Sequence, residues 1–421
     1  MTRVLAADCG LNKRRLIMQP TANSTRLSTE TKNAVLSRMA ELLDAKREAI
    51  IAHNREEVEA YTGNDQSMRD RLKVNDKKVD GMIKSLHDVR AGADPVGAIR
   101  YAHMREDSLK IENKSVPFGN ILIIYESRPD VTIEAASLAF KAGNKILLKG
   151  GKEARKSNLF LVNIWHQALR EMGVSTDWIT YLNFNRSETQ EYLKNRNCPA
   201  DLIVPRGGER LIEFVREHAR VPVIVSGRGN NFLYVHTDAD CEATLNVIVN
   251  AKTQKISACN SLDKVLINSY LPFKEAYLKE IIGTLREKGV EILADAAISA
   301  LTDLPVFENE AVWKEEFLAP KMLLAQVNSM PDAIRLINQH SGGHSATIMT
   351  KNDDIAEQFM NDTDTAHVFH NASTRFADGG QLGLGAELGI STEKLHHRGA
   401  LGLEQLMTNK WFIYGNGHVR K

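Results

Sequence analysis

Cysteine is scarce in this chain of 421 residues: there are four, Cys9, Cys198, Cys241 and Cys259, far apart and with no CxxC pair. That excludes a disulfide framework and a thiolate zinc site, and it fits a reducing cytoplasm. An excess of charge of either sign is also missing. The 54 lysines and arginines against 53 acidic residues leave a net charge of +1, so no overall field draws the chain to nucleic acid or to an anionic membrane. Long apolar runs are absent; Ile121-Leu122-Ile123-Ile124 is typical of the longest, far short of a membrane span. Asp8, Lys13, Arg14 and Arg15 interrupt any signal-like apolar segment at the N-terminus. No GxGxxG follows the first strand-like run and no GxSxG follows any of them, so the usual dinucleotide fingerprint and the serine-hydrolase elbow are missing. Nor is a metal site expected. Gly342-Gly343 separates His340 from His344, and the adjacent His396 and His397 point in different directions.

What is present is ordinary globular composition, 43% hydrophobic and 25% charged, in a chain long enough for two or three domains. From Ser28 to about Ala60 apolar residues recur at helical spacing, and Asn75 can cap a second helical stretch carrying Val79, Met82, Leu86 and Val89. Residues 101–116 read as two short extended segments, a hairpin ahead of the main sheet. Between 117 and 225 strand and helix alternate, with strands at Ile121–Tyr125, Lys145–Leu148, Trp178–Leu182, Leu202–Val204 and Val221–Val225. Such alternation implies a parallel sheet with helices on its faces and ligands beyond the carboxyl ends of the strands. Two strand-to-helix turns there, Lys149-Gly150-Gly151-Lys152 and Arg206-Gly207-Gly208, combine glycine with cations. Each alone reads more readily as a plain turn than as a ligand site, but the pair at one end of a sheet points to a nucleotide.

Beyond Ser226 the alternation resumes, with a strand at Phe232–Val235, another at 264–268, a helix at 273–288, a strand at 290–293 and a helix at 331–339. This is a second α/β unit. Into it is set Thr253-Gln254-Lys255-Ile256-Ser257-Ala258-Cys259-Asn260-Ser261, a cysteine among small and polar neighbours. A packing cysteine usually sits among apolar residues, whereas this loop can supply donors to a thiolate or an oxyanion. By itself the stretch leaves both a nucleophile and a structural thiol open. Residues 371–403 are dense in glycine, asparagine, serine and charge; they read as an anion-binding loop, with Arg375, Lys394 and Arg398 available, or as a solvated surface loop. Lys410–Tyr414 ends the chain as a strand.

Together these stretches resemble the aldehyde dehydrogenase superfamily, and within it the branch that reduces L-glutamyl 5-phosphate. The resemblance rests on Tyr125-Glu126-Ser127-Arg128-Pro129, Leu148-Lys149-Gly150-Gly151, Val204-Pro205-Arg206-Gly207-Gly208, Ser257-Ala258-Cys259-Asn260, Ser373-Thr374-Arg375-Phe376 and Gly383-Leu384-Gly385-Ala386-Glu387, with His396 to Gly402 and Lys410-Trp411. It implies a Rossmann-like NADPH-binding domain (1–100 and 117–230), a catalytic α/β domain (231–405) and a small β oligomerisation element (101–116 and 406–421). It further implies Cys259 as nucleophile, Lys149 at the adenosine ribose, Arg206-Gly207-Gly208 at the cofactor phosphates and Glu315 at the nicotinamide ribose, and it leaves Ser127, Asn260 and the Cys259 backbone N–H as candidate oxyanion donors. Where NAD-preferring relatives carry a glutamate for the ribose 2′-hydroxyl this chain has Lys152, which suits the 2′-phosphate of NADPH. Where oxidising relatives carry a water-activating glutamate it has Ser226, which is no base at neutral pH. The implied reaction is a phosphate-releasing reduction of L-glutamyl 5-phosphate in proline biosynthesis, with Arg375 and Arg398 as substrate-binding cations. The implied partners are further copies of the chain and a glutamate 5-kinase. The rivals are a hydrolytic NAD-dependent aldehyde dehydrogenase and a non-catalytic scaffold of the same fold.

Overall fold

The computed structural model describes residues 26–63, 66–195 and 198–420. Cys9 and the charged residues Asp8, Lys13, Arg14 and Arg15 lie outside them. The helical first hundred residues form Thr29–Ala45, Arg47–Glu59, Gln66–Leu72 and Asp76–Ala91. Ser28 and Asn75 cap two of these by accepting from the backbone N–H groups of Thr31 and Lys78, which satisfies amides that a helix start leaves unpaired. The stretch from Ser28 to Ala60 is not one helix, because Lys46 leaves helical geometry (φ −107°, ψ 13°) and the chain restarts at Arg47.

Thr29–Ala45, Arg47–Glu59 and Asp76–Ala91 pack on the helices Val131–Lys141 and Arg155–Glu171, which cover one face of a four-stranded parallel sheet ordered Ile179–Tyr181, Lys145–Gly150, Asn120–Tyr125, Leu202–Arg206. Alternation along the strands sends Ile121 and Ile123 to that face, against Phe140, Trp165 and Met39, and Leu122 and Ile124 to the other, against Leu193 and Val215. Two expected strands are corrected. Trp178 lies in a 3₁₀ turn, so the strand starts at Ile179. Val221–Val225 joins only through a single bridge between Ile203 and Val223, because Pro222 has no N–H to extend a ladder.

The second unit is a six-stranded parallel sheet ordered His367–His370, Ser345–Met349, Asn231–Val235, Leu262–Asn268, Lys321–Val327, Glu291–Ala294. Its core divides into a cluster around Leu233, Val265 and Ile281 and another around Phe232, Leu266 and Phe359. A third, antiparallel sheet joins Ile99–Met104 and Lys110–Pro117 to Met407–Tyr414. It leaves Ile99 and Met104 on one face, and Trp411 and Ile413 on the other, more than half exposed. No helix among the described residues is long and apolar enough to cross a membrane.

Candidate active site

The loop that carries Cys259 runs from the helix Cys241–Thr253 to the strand Leu262–Asn268, closed by backbone bonds from Ala258 N to Lys255 O (3.2 Å) and from Ser261 N to Ala258 O (2.9 Å). The Asn231 amide nitrogen lies 2.8, 2.8 and 2.7 Å from the carbonyls of Gly229, Cys259 and Ser261, tying the loop to the segment that enters the second unit. Gly229 must be glycine here, since a Cβ would stand 1.8 Å from the Cys259 carbonyl. On the other side Asn260 donates to the carbonyls of Ala377 (3.0 Å) and Arg375 (3.4 Å), and Thr374 Oγ1 donates to Asn260 O at 2.8 Å. The Asn260 amide therefore braces the segment from Thr374 to Ala377.

A buried strut fixes the loop relative to the segment bearing Glu315. Lys252 and Asp263, both essentially without solvent contact, pair at 2.8 Å. The other Asp263 oxygen accepts from Phe317 N at 2.9 Å, and Lys264 Nζ donates to Glu315 O at 2.8 Å while lying 3.6 Å from the Phe317 ring centre. Burial pulls Lys264 down to about 7. Glu315 itself is exposed at the end of this segment.

Cys259 is accessible to solvent, yet it is surrounded closely enough for desolvation to raise its pKa. The Arg206 guanidinium is the leading influence against that rise, with Arg375 acting in the same sense and Glu316 and Glu387 opposing both. Arg206 ends its strand and shares its surroundings with Cys259, Arg128, Glu134 and Glu387; burial lowers its own pKa. Gly389 makes room for it, a Cβ there coming 2.3 Å from Arg206 Nη1. The arginine of the Arg206-Gly207-Gly208 turn thus faces the cysteine, while the exposed Gly207 and Gly208 form the turn itself. Arg375 donates from Nε to Gln254 Oε1 at 2.9 Å and so lies across the start of the cysteine loop.

The other expected residues are spread over several segments. Ser127 is buried, with φ +46°, and its hydroxyl donates to Glu153 Oε1 at 2.7 Å, so that hydroxyl is already engaged. Lys149 bonds the Gly150 carbonyl at 2.7 Å and is half-buried, which lowers its pKa. Gly150 is needed because a Cβ would meet Asn158 Nδ2 at 2.2 Å. Lys152 is exposed on a short 3₁₀ turn after Gly151. Arg398 donates two hydrogen bonds to Asp364, 2.7 Å to its side chain and 3.1 Å to its carbonyl; Lys394 reaches the same carboxylate at 2.8 Å.

Several functional contacts were not anticipated from sequence. Glu126 accepts from Gly208 N at 3.0 Å, and Glu57 takes the Lys156 and Ser157 amides at 2.7 and 3.0 Å. Both carboxylates thereby fill amides at the starts of helices that follow the glycine turns. The one available signal was Asp263-Lys264, a charged pair inside a strand otherwise fit for burial.

Comparison with known proteins agrees with this geometry. The model of the aldehyde dehydrogenase family matches residues 19–292 and 301–389. A gamma-glutamyl phosphate reductase of Thermotoga petrophila is 41% identical over 94% of this chain and 95% of its own length, and one of Koribacter versatilis is 43% identical over the same shares. The crystal structure of gamma-glutamyl phosphate reductase from Thermotoga maritima superposes with a TM-score of 0.90 at 40% identity, covering 94% of this chain and 95% of that one. An acetylating aldehyde dehydrogenase of Geobacillus thermoglucosidasius shares the fold at 17% identity, with a TM-score of 0.68 over 94% of each chain. By the match along nearly its whole length, the chain belongs to the aldehyde dehydrogenase family and, within it, to the gamma-glutamyl phosphate reductases.

Proposed function

We propose that this oxidoreductase reduces L-glutamyl 5-phosphate to L-glutamate 5-semialdehyde with NADPH, releasing phosphate, as a step of proline biosynthesis, and that it does so through a thioester on Cys259. The observation that carries the reading is the accessible Cys259 thiol flanked by Arg206 and Arg375. Two cations beside one sulfur favour its thiolate and attract a doubly charged acyl phosphate. The Cys259 sulfur attacks the acyl carbon, the carbon–oxygen bond to phosphate breaks, and phosphate leaves. Backbone N–H groups of the loop receive the developing oxyanion. Arg375 holds the substrate; Arg398, engaged by Asp364, steadies the surrounding loop. Ser226 offers no base to activate water at the thioester, so the acyl group waits for reduction.

The residues present fit a nicotinamide dinucleotide. Gly207 and Gly208 are exposed beyond a strand end, Glu315 is exposed on the strut-held segment, and Lys149 and Lys152 stand at the neighbouring turn. A diphosphate that draws on the Gly208 amide displaces the Glu126 carboxylate. When bound, the cofactor supplies the hydride. Lys152, exposed and cationic, receives a 2′-phosphate where a glutamate would repel it. The free thiols Cys198, Cys241 and Cys259 and the demand for NADPH fit the cytoplasm, and the small antiparallel sheet is the surface for pairing with a second copy. A glutamate 5-kinase is the natural supplier of so labile a substrate.

The test is semialdehyde oxidation in the presence of phosphate, followed with NADP and with NAD. Wild-type kcat/KM is expected to be higher with NADP by about tenfold or more, and Lys152→Glu to erase most of that ratio through the cofactor KM, an effect of about 1.4 kcal/mol. An unchanged ratio in Lys152→Glu contradicts the role of Lys152, and no phosphate-dependent oxidation contradicts the function.

A further inference from the structure

Lys149-Gly150 and Arg206 stand at the carboxyl ends of the first sheet's strands. At the opposite, amino ends lies a cavity of about 770 Å³ to which sequence assigned nothing. One side of it is formed where three neighbouring strands begin. Lys145 opens one, Asn120 the next, and Asp201 directly precedes the third. The other side is the small antiparallel sheet, which contributes Lys114, Phe412 and Tyr414 from the face opposite Trp411 and Ile413. Trp178, in its 3₁₀ turn, and Leu27 add apolar wall. A concavity of this size, with mostly apolar walls and a few polar groups, has the build of a small-molecule site.

The charges on these walls are unevenly matched. Lys32 is paired with Asp94 at 2.5 Å, and Lys114 with Glu112 at 2.6 Å while its Nζ lies 3.2 Å from the Tyr414 hydroxyl. Lys145 is different. It is half-buried, and among the described residues its ammonium has neither an acid nor a hydrogen-bond acceptor. Arg26 donates to the Val96 carbonyl at 2.7 Å and meets no acid among them either. Asp201 likewise lacks a cation; one of its oxygens accepts from Asn120 N at 2.7 Å, which fixes the carboxylate beside the strand starts. Asn120, anchored by its side-chain amide to the Pro199 carbonyl at 2.8 Å, stands between Lys145 and Asp201 and keeps them apart. A half-buried ammonium without a partner is costly, and a bound carboxylate relieves that cost. An unpaired cation and an unpaired acid, held apart in one apolar-walled cavity, match the two charges of a zwitterion.

We propose that this cavity binds an α-amino acid with an apolar side chain. Its carboxylate meets Lys145, with Arg26 adding charge, and its ammonium meets the other oxygen of Asp201. The side chain lies against Trp178 and Phe412. Such a ligand bridges the first unit and the antiparallel sheet, so it stabilises the folded chain as the site fills. No residue of the cysteine loop or of the glycine turns takes part, and the inference stands apart from the reading of Cys259.

The experiment is isothermal titration of the full chain with L-leucine and with L-phenylalanine. Each is compared with its analogue lacking the ammonium (isocaproate, phenylpropanoate) and its analogue lacking the carboxylate (isoamylamine, phenylethylamine). At least one amino acid is expected to bind once per chain, and both of its analogues at least about tenfold more weakly. Lys145→Met is expected to weaken binding by at least about tenfold and Lys145→Arg to restore it. In both, phosphate-dependent oxidation of glutamate 5-semialdehyde without added amino acid stays at the wild-type rate. Asp201→Asn, whose amide oxygen still accepts from Asn120 N, is expected to bind the amino acid no better than wild type binds the analogue lacking the ammonium. It reads the same cavity should Lys145→Met fail to fold. The proposal is overturned if neither amino acid binds at about 10 mM, or if binding is unchanged in Lys145→Met or in Asp201→Asn. It is also overturned if an analogue lacking the ammonium binds as tightly as its amino acid, which would make the cavity a plain carboxylate site.

Discussion

Cys259→Ala binds NADPH as the wild type does and loses phosphate-dependent oxidation of glutamate 5-semialdehyde by at least about 10⁴-fold, the scale at which a removed nucleophile acts. The substitution deletes only an accessible thiol. The backbone of the loop stays fixed, because Asn231 holds the carbonyls of Cys259 and Ser261 and Thr374 holds that of Asn260, and none of these contacts uses the sulfur. The residues proposed to hold the cofactor, Lys149, Lys152, Gly207, Gly208 and Glu315, belong to other segments. Fluorescence titration with NADPH separates the two effects from a folding defect. Turnover above the 10⁴-fold limit would place the nucleophile elsewhere.

Arg206→Met raises the pKa of the Cys259 thiol and lowers kcat/KM at pH 7 by about 10- to 100-fold, one or two pKa units expressed as rate. The sign follows from charge. Arg206 is the strongest influence opposing desolvation of the thiol, so its removal leaves burial, Glu316 and Glu387 to hold the proton on sulfur. Activity at neutral pH falls and recovers as pH rises, and iodoacetamide alkylation of Cys259 shifts to higher pH in parallel. Glu134 and Glu387, both already raised by burial, lose a neighbouring cation and become harder to ionise. Arg206→Lys keeps the charge and should retain most of the low-pH reactivity. An unshifted alkylation profile in Arg206→Met would contradict the part given to Arg206.

How far these residues could be read from sequence depends on the range of their contacts. The strands of the first sheet were legible because Ile121 to Tyr125, Lys145 to Leu148 and Leu202 to Val204 are short apolar runs bounded by glycine, proline or charge. Val221–Val225 has the same look, but Pro222 limits it to one bridge. Lys321–Val327, Ser345–Met349 and His367–His370 have no counterpart among the expectations, the last because histidines bound a run of only two apolar residues. The cysteine loop stood out by its neighbours Ser257, Ala258 and Asn260, which left a nucleophile and a structural thiol equally open.

Local chemistry could not show which side chains were already engaged. Asn260 and Ser127 are of the right type for an oxyanion, yet Ala377, Arg375 and Glu153 occupy their donors. Glu57 and Ser157 lie 100 positions apart and Arg398 and Asp364 lie 34 apart, distances at which only the folded chain decides pairing. The same holds for Arg206, grouped by its neighbours with a phosphate turn and brought by the fold to the cysteine. Lys152 is exposed.

The central claim is that an acyl group on Cys259 is open to phosphate and closed to water. Its most direct test is the rate of NADP reduction by glutamate 5-semialdehyde on the wild-type protein, with and without inorganic phosphate. The account predicts sustained NADPH formation only when phosphate is present, increasing with its concentration to saturation. Equal sustained turnover without phosphate would show water reaching the thioester, and would make the protein a hydrolytic aldehyde dehydrogenase.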